Sequence, residues 1–424
     1  MREVLRGQVR TALTDAGIYF RSLLIGYFEG IGAERGIAWR LADSLALRRF
    51  VGMGLDENTP DHSTISRTRR LIDVNTHREV FAWVLGVLAD HGLLKGQRIA
   101  IDATTLEANA AMRSIVRRDT GESYEEFLRG LAKASGIETP TREDLLRLDR
   151  KRKKRMSNKE WKSPADEDAR IAKMKDGRTH LAHKAEHAVD LDTGAVVAVT
   201  LPGADQGDTT TLDATLCEAG MTGAELAGRE AALRPDREPK VNVNGVEELV
   251  TDKGYHSGAV LQRVKSYEVS SYIPEKQPKG RRNWQGKAEE QQAVYENRRR
   301  VRSEYGQSLL RRRGELVERS FAHCYETGGL RRCHLRGRDN ILKRQLVHVG
   351  AFNLSLILRH LLGAGTPREL NNRSGNFALS LLLLLWYGNG QQPCHSSRIS
   401  ALATKHVARS RTRLRCPLCR KSAI

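Results

Sequence analysis

Cysteine and aromatic residues are scarce in this chain of 424 residues. The six cysteines are scattered, so we expect no disulfide framework, and this usage is typical of a reducing cytosol. Phenylalanine, tryptophan and tyrosine make up only 5%, and no motif of stacking aromatics on a sheet is present. A generic RNA-binding protein is therefore not favoured.

Long apolar runs are also missing. The apolar run at residues 377–387 is shorter than the roughly 20 residues that a membrane-spanning helix needs. No signal peptide is visible, because Arg2, Glu3 and Arg6 interrupt the apolar positions of residues 1–30. The sequence thus predicts a cytoplasmic protein without a membrane segment.

Positive charge, by contrast, is abundant. The chain has 71 Lys and Arg residues against 51 Asp and Glu residues, which gives a formal net charge of +20. An excess of this size favours a polyanionic partner such as nucleic acid. A merely soluble basic protein is the plainer alternative.

Three distant stretches each present one acidic residue in a setting that suits a metal ion. The patterns predict two apolar strands that end in Asp102 and Asp252, and a helix that carries Glu318 beside Arg319. A single aspartate of this kind ordinarily caps a turn, but its repetition favours a site, since a buried carboxylate needs a partner. Glu315 lies one turn from Glu318, and composition does not choose between the two.

The order of the predicted strands places the two aspartates together. A first strand with its exit at residues 93–106 and a hairpin at residues 180–201 precede the strand before Asp252, and a further strand follows at residues 269–273. This order predicts a mixed α/β sheet whose first and fourth strands are neighbours, so that Asp102 meets Asp252 at the strand ends. Carboxylates that hold two metal ions can support in-line phosphoryl displacement.

The first part of the chain, residues 1–92, is helical in pattern. Asp61 suits the start of a short helix that carries Arg67, Arg69 and Arg70. Such a helix could lie in a major groove, in the manner of a helix-turn-helix recognition helix. An ordinary solvated amphipathic helix explains the pattern equally well.

Two other features have ordinary explanations. His180, His183 and His187 show zinc-like intervals, but in a strand the last two would lie roughly 13 Å apart, so we predict no zinc site. Trp284 lies in a basic loop and could stack on a base, although anchoring the loop is the commoner role.

Three motifs, taken together, carry a family resemblance. They read I-D-A-T-T-L-E-A-N at residues 101–109, T-D-K-G-Y-H-S at residues 251–257 and V-E-R-S-F-A-H at residues 317–323. They resemble the three acidic motifs of bacterial insertion-sequence DDE transposases, in the group whose second aspartate lies in a D-K-G-Y motif. Further matches are residues 60–65, 166–170 and 176–177, and the hairpin's Lys184, His187 and Asp190.

The resemblance implies an RNase H-like fold and a catalytic, metal-binding triad of Asp102, Asp252 and Glu318. It implies Mg²⁺ as the cofactor, with Mn²⁺ as a substitute. Water would cut the DNA backbone at the end of the element, and the released 3′-hydroxyl would then attack target DNA. The E-R-S-F-A-H context favours Glu318 over Glu315.

DNA contacts beside the triad are also implied. Candidates are Lys253, Tyr255, Arg319 and His323; Arg319 is the strongest, because a guanidinium binds phosphate bidentately, whereas His323 fits a packed helix residue equally well. The implied partners are the terminal inverted repeats, target DNA and a second copy of the chain that pairs the two ends. The implied location is the cytoplasm, at the bacterial nucleoid.

Three segments are expected. Residues 1–92 would be a helical DNA-binding transposase domain, truncated at its start, and residues 93–370 a catalytic domain with insertions at about 107–178 and 274–313. Residues 371–424 depart from the family pattern and are expected to form a disordered tail. The atypical ends make the alternative function an inactive relic or a repressor that binds the element's ends.

Overall fold

A computed structural model gives the fold of most of the chain. It describes residues 16–152, 156–174, 177–233, 235–236, 238–277, 282–331, 333–365 and 369. The predicted tail and its apolar run lie outside the described residues, and so does Asp176 of the motif matches.

Helices make up the described part of residues 16–92. They are Ala16–Phe28 (α1), Glu34–Asp43 (α2), Leu45–Val51 (α3), His62–Leu71 (α4) and Val74–Asp90 (α5). Asp61 caps α4, as the sequence predicts, since its carboxylate accepts a hydrogen bond from the Thr64 N–H at 2.6 Å. The helical N-terminal region is therefore confirmed.

The strands form one mixed sheet and one small ribbon. They are Arg98–Glu107 (β1), Val116–Arg117 (β2), Trp161–Lys162 (β3), Arg170–Lys173 (β4), Thr179–Asp190 (β5), Val196–Thr200 (β6), Glu248–Thr251 (β7) and Ser270–Tyr272 (β8). In the main sheet β1 lies between β5, which is antiparallel to it, and β7, which is parallel; β8 continues parallel beyond β7. Both β4 and β6 pair antiparallel with β5. The mixed sheet and the predicted adjacency of its first and fourth strands are confirmed.

The first strand is predicted to end at Asp102, but β1 is longer on that side. β1 continues past Asp102 to Glu107, because this half of the strand also pairs with β5, where Asp102 lies opposite His187. Asp102 is therefore inside the strand and not at its end. The parallel pairing of β1 with β7 ends just before Asp102, and its last pair is Ile101 with Thr251.

Seven further α-helices lie in the described residues after β2. They are Tyr124–Ala134 (α6), Arg142–Lys151 (α7), Asp208–Leu233 (α8), Gly258–Ser266 (α9), Ala288–Arg302 (α10), Glu304–Phe321 (α11) and Arg338–Leu362 (α12). The segment predicted as a mostly helical excursion at 107–178 also supplies β4 to the main sheet. The Arg-rich segment at 274–313 is largely helical, since it contains α10 and the start of α11.

Helices cover both faces of the main sheet. Neighbouring residues of β5 show this directly: Glu186 accepts a hydrogen bond from Thr215 of α8, whereas His187 bonds to Ser320 of α11. Successive side chains of a strand point to opposite faces, so α8 and α11 lie on opposite sides.

A single buried apolar cluster links the N-terminal helices to the sheet. It includes Tyr27 of α1, Leu85 of α5, Ile99 of β1 and Phe352 of α12. α12 packs against both α1 and α5, so the core fixes the helices of the first segment against the sheet that carries Asp102. In the ranges that the structure describes, no helix combines the length and apolarity needed to cross a membrane.

Candidate active site

Asp102 of β1 and Asp252, which directly follows the parallel strand β7, each lie one residue beyond the last pair of that ladder. The pKa of the Asp102 carboxyl is raised above its ordinary value, chiefly because the group is buried. Arg313 acts in the opposite direction, while the nearby carboxylates of Asp252 and Asp208 raise it further. The sheet thus brings the two predicted aspartates into electrostatic contact.

Asp208, which sequence reasoning missed, joins them at this edge of the sheet. A Cβ added to Gly254 would lie 2.6 Å from Asp208 Oδ2 and 2.8 Å from Asp252 Oδ1. A side chain at 254 would therefore have to displace these two carboxylates from their positions. Asp208 lies at the start of α8, which is a common place for an aspartate and therefore gives no sequence signal of a site.

Lys184 holds Asp208 in place. Its Nζ donates to Asp208 Oδ1 at 2.8 Å and to Thr211 Oγ1 at 3.0 Å, and it lies 3.0 Å from Glu186 Oε1. Only 6% of the Lys184 side chain is exposed. This buried ion network fixes the start of α8 against β5, and it gives the motif residue Lys184 a structural role.

Tyr255 belongs to the same network, which corrects its predicted role in DNA contact. The side chain is fully buried, and its hydroxyl donates to Glu186 Oε1 at 3.2 Å. Burial, with the charge of Glu186, raises the pKa of Tyr255 strongly. A hydroxyl enclosed in this way is not available to a phosphate.

Arg313 of α11 forms an ion pair with Asp102. Its Nη2 donates to Asp102 Oδ2, and the Ala103 N–H donates to Oδ1 at 2.8 Å. Sequence reasoning missed Arg313, although the run Arg311–Arg313 shortly before Glu318 was visible.

Glu318, the acidic residue of the third motif, lies on α11. α11 buries Leu316, Val317 and Ser320 against the rest of the protein, and Glu318 is exposed. Glu315 is exposed too, and it pairs with Arg319 one turn along the helix. Within the described ranges, no group of three or more His, Cys, Asp or Glu side chains is arranged to hold a metal ion.

The other predicted DNA contacts lie in different surroundings. Lys253 is exposed next to Asp252, and Arg319 is partly exposed in its pair with Glu315. His323 stacks on Phe352 with ring centroids 5.9 Å apart, so its packed-residue explanation fits the structure.

The three arginines of α4 divide between surface and interior. Arg67 and Arg70 are exposed, whereas Arg69 is only 6% exposed and forms an ion pair with Glu34 of α2. Burial also lowers the pKa of the Arg69 guanidinium. The prediction that Arg69 contacts DNA is corrected, because its charge is already matched inside the protein.

Two of the hairpin histidines bond to neighbouring side chains. His187 bonds to Ser320 Oγ at 3.0 Å and to the Tyr325 hydroxyl at 2.9 Å, and burial lowers its pKa to about 3. His183 Nε2 lies 2.9 Å from Asp166 Oδ2. His187 therefore ties α11 and the turn after it to the sheet, next to Asp102.

Two stretches of the chain match known protein families. Residues 7–71 match the model of a transposase domain (DUF772), and residues 275–358 match that of a transposase DDE domain. These matches support an insertion-sequence DDE transposase. No curated protein and no solved structure matches the chain.

Each matched stretch contains helices that carry candidate site residues. The first contains α1 to α4 with Arg67 and Arg70, and the second contains α10 and α11 with Arg313 and Glu318. DDE transposases act on DNA and generally depend on a divalent metal ion.

Proposed function

We propose that this protein is a DNA transposase that cuts the ends of an insertion sequence and joins their 3′-hydroxyls to target DNA. One observation carries the proposal: the parallel pairing of β1 and β7 places Asp102 beside Asp252. It occurs in a chain with two matches to transposase domains and a net charge of +20.

We also propose that the core is RNase H-like. The strand order β6-β5-β1-β7-β8 supports this fold, since β1, β7 and β8 are parallel and β5 is antiparallel to β1. Helices α8 and α11 on opposite faces support it as well.

The side chains at this edge of the sheet fit a divalent cation. Asp102 and Asp252 offer the hard carboxylate oxygens that Mg²⁺ prefers, and Mn²⁺ could take its place. Burial and neighbouring carboxylates disfavour the charge of Asp102, which a cation would offset. When bound, the metal would supply positive charge to the attacking and leaving oxygens of phosphoryl transfer. We assign the third ligand to Glu318 on its motif.

The remaining exposed basic residues would bind and orient DNA. Lys253 follows Asp252 and is exposed, and Arg319 follows Glu318 in the third motif, so we assign both to phosphates near the reacting group. Arg67 and Arg70 on α4 would bind the element's end. A second copy of the chain would hold the other end, on the nucleoid in the cytoplasm.

The test is cleavage and strand transfer on DNA that carries the element's end, with and without Mg²⁺. We expect the wild type to produce 3′-hydroxyl ends and joined products. Asp102→Asn, Asp252→Asn and Glu318→Gln should each lower the rate by at least about 100-fold, while DNA binding is retained. Asp192→Asn is the control and should keep the rate, because Asp192 follows β5 and pairs with Arg98 at the opposite end of β1.

Two results would overturn the proposal. One is full cleavage by the Asp102→Asn variant. The other is specific binding of the element's ends by the wild type with no cleavage in Mg²⁺ or Mn²⁺, which is what a repressor would show.

A further inference from the structure

The Arg313–Asp102 ion pair engages an oxygen that the proposed metal site needs. Arg313 Nη2 binds Asp102 Oδ2, and the Ala103 N–H takes Oδ1. The pair is sheltered, with 16% of the Arg313 side chain and 25% of the Asp102 side chain exposed. A guanidinium and a metal ion both need the negative charge of the same carboxylate, so they compete for Asp102.

Arg313 is incompletely satisfied in this pair. A guanidinium has five N–H donors, and among the described residues the buried Arg313 Nε has no hydrogen-bond partner. An unsatisfied buried donor is costly. A phosphate accepts two parallel N–H bonds from a guanidinium, so it would satisfy Arg313 better than the single bond to Asp102 does.

The position of Arg313 makes such an exchange possible. Within the run Arg311–Arg313, Arg312 bonds to the Asp192 carbonyl oxygen at 2.9 Å, and Arg313 contacts Asp102. A phosphate that came close enough to Asp102 to react would therefore also lie within reach of Arg313.

We propose that Arg313 is a DNA-responsive gate on the cation site. Without DNA it neutralises Asp102 and weakens metal binding. When DNA enters, Arg313 transfers to a phosphate and Asp102 becomes free to hold the cation. Charge is matched in both states, and DNA and metal must raise each other's affinity by the same factor. The gate rests on the proposed function, since it needs a DNA strand at this site.

Binding of Mn²⁺ to the full chain, followed by the electron paramagnetic resonance of free Mn²⁺, tests the gate without any cleavage step. In the absence of DNA we expect Arg313→Gln to bind Mn²⁺ about 10-fold more tightly than the wild type, a typical size for coupling between sites. Element-end DNA should raise the wild-type affinity by a similar factor and that of Arg313→Gln much less. Arg312→Gln, the neighbour on the same helix, should behave as the wild type.

Further variants assign the effect and check folding. Asp102→Asn combined with Arg313→Gln should lose the added Mn²⁺ affinity, because the carboxylate is gone. Mn²⁺ should raise the melting temperature of Arg313→Gln more than that of the wild type, which requires a folded variant. Arg313→Lys retains the positive charge, so it should keep the low Mn²⁺ affinity of the wild type. It is the variant to use if Arg313→Gln proves unstable.

The outcomes separate the gate from the transposase proposal. Mn²⁺ binding by DNA-free Arg313→Gln that is no tighter than wild-type binding overturns the gate, even if the wild type cuts DNA. A wild type that does not cut DNA overturns the proposed function, whatever the Mn²⁺ titration gives.

Discussion

His187 and Asp102 lie opposite each other on β5 and β1, and burial acts on both. It lowers the pKa of His187 to about 3 and raises that of Asp102. Both shifts disfavour the charged form, as expected in a water-poor interior. A charged side chain on the α11 face of the sheet therefore needs a partner that compensates its charge, as Arg313 does for Asp102.

The buried His187 should make the protein sensitive to acid. Its pKa falls from the ordinary value of 6.5 to about 3 on folding, so below pH 6.5 the unfolded chain takes up a proton that the folded protein excludes. The stability that the neutral His187 contributes is fully present above pH 6.5 and falls as the pH drops toward 3. In urea unfolding between pH 7 and 4.5, the free energy of unfolding of His187→Gln should fall less than that of the wild type. The difference should be up to about 1.4 kcal/mol per pH unit.

Other histidines set the limits of that measurement. His77 is also buried, with a pKa lowered to about 4 mainly by burial, so part of the pH dependence should remain. The exposed His62 provides a matched His→Gln substitution at the surface. An unchanged slope in His187→Gln would contradict the account.

At the scale of elements, α4 shows what a helical pattern leaves open. The sequence marks a basic helix after Asp61 but not which arginine points inward. That choice depends on Glu34, which lies on another helix and pairs with Arg69. Arg67 and Arg70, three residues apart and thus on one face, remain exposed.

This division predicts two different mutant phenotypes. Arg67→Ala and Arg70→Ala should each weaken DNA binding and reduce the slope of log affinity against log salt by about 1. Arg69→Ala, the matched control, should keep that slope but destabilise the protein by about 3 kcal/mol, because Glu34 loses its buried partner. Fluorescence anisotropy across a salt series and urea unfolding measure the two effects; a reduced slope in Arg69→Ala alone would refute the assignment.

For β1, the sequence pattern predicted the end of the strand too early. Apolar residues before Asp102 predicted the first half of the strand, but Ala103, Thr104 and Thr105 were also compatible with a turn. Pairing with β5 extends the strand through them, and such long-range pairing overrides local preference. Asp102 still ends up beside Asp252, because the neighbouring strand β7 ends at that level.

At the scale of the whole molecule, the sheet was easier to predict than the groups around it. The order of apolar runs sufficed to place Asp102 next to Asp252, since strands of this pattern pair in few ways. Asp208 and Arg313 reach the site from α8 and α11, whose approach depends on packing that no local pattern encodes. Tyr255 was misassigned for the same reason, because its partner Glu186 lies on β5.

We propose that Asp102 and Asp252 jointly hold the divalent ion for DNA cleavage. Replacing one of them by cysteine is the sharpest test, because a thiolate is a poor ligand for the hard ion Mg²⁺ and binds Mn²⁺ better than it binds Mg²⁺. We expect Asp252→Cys to cut element-end DNA at least about 100-fold more slowly than the wild type in Mg²⁺, and to recover at least part of that loss in Mn²⁺. Cleavage by Asp252→Cys in Mg²⁺ at the wild-type rate would contradict the claim.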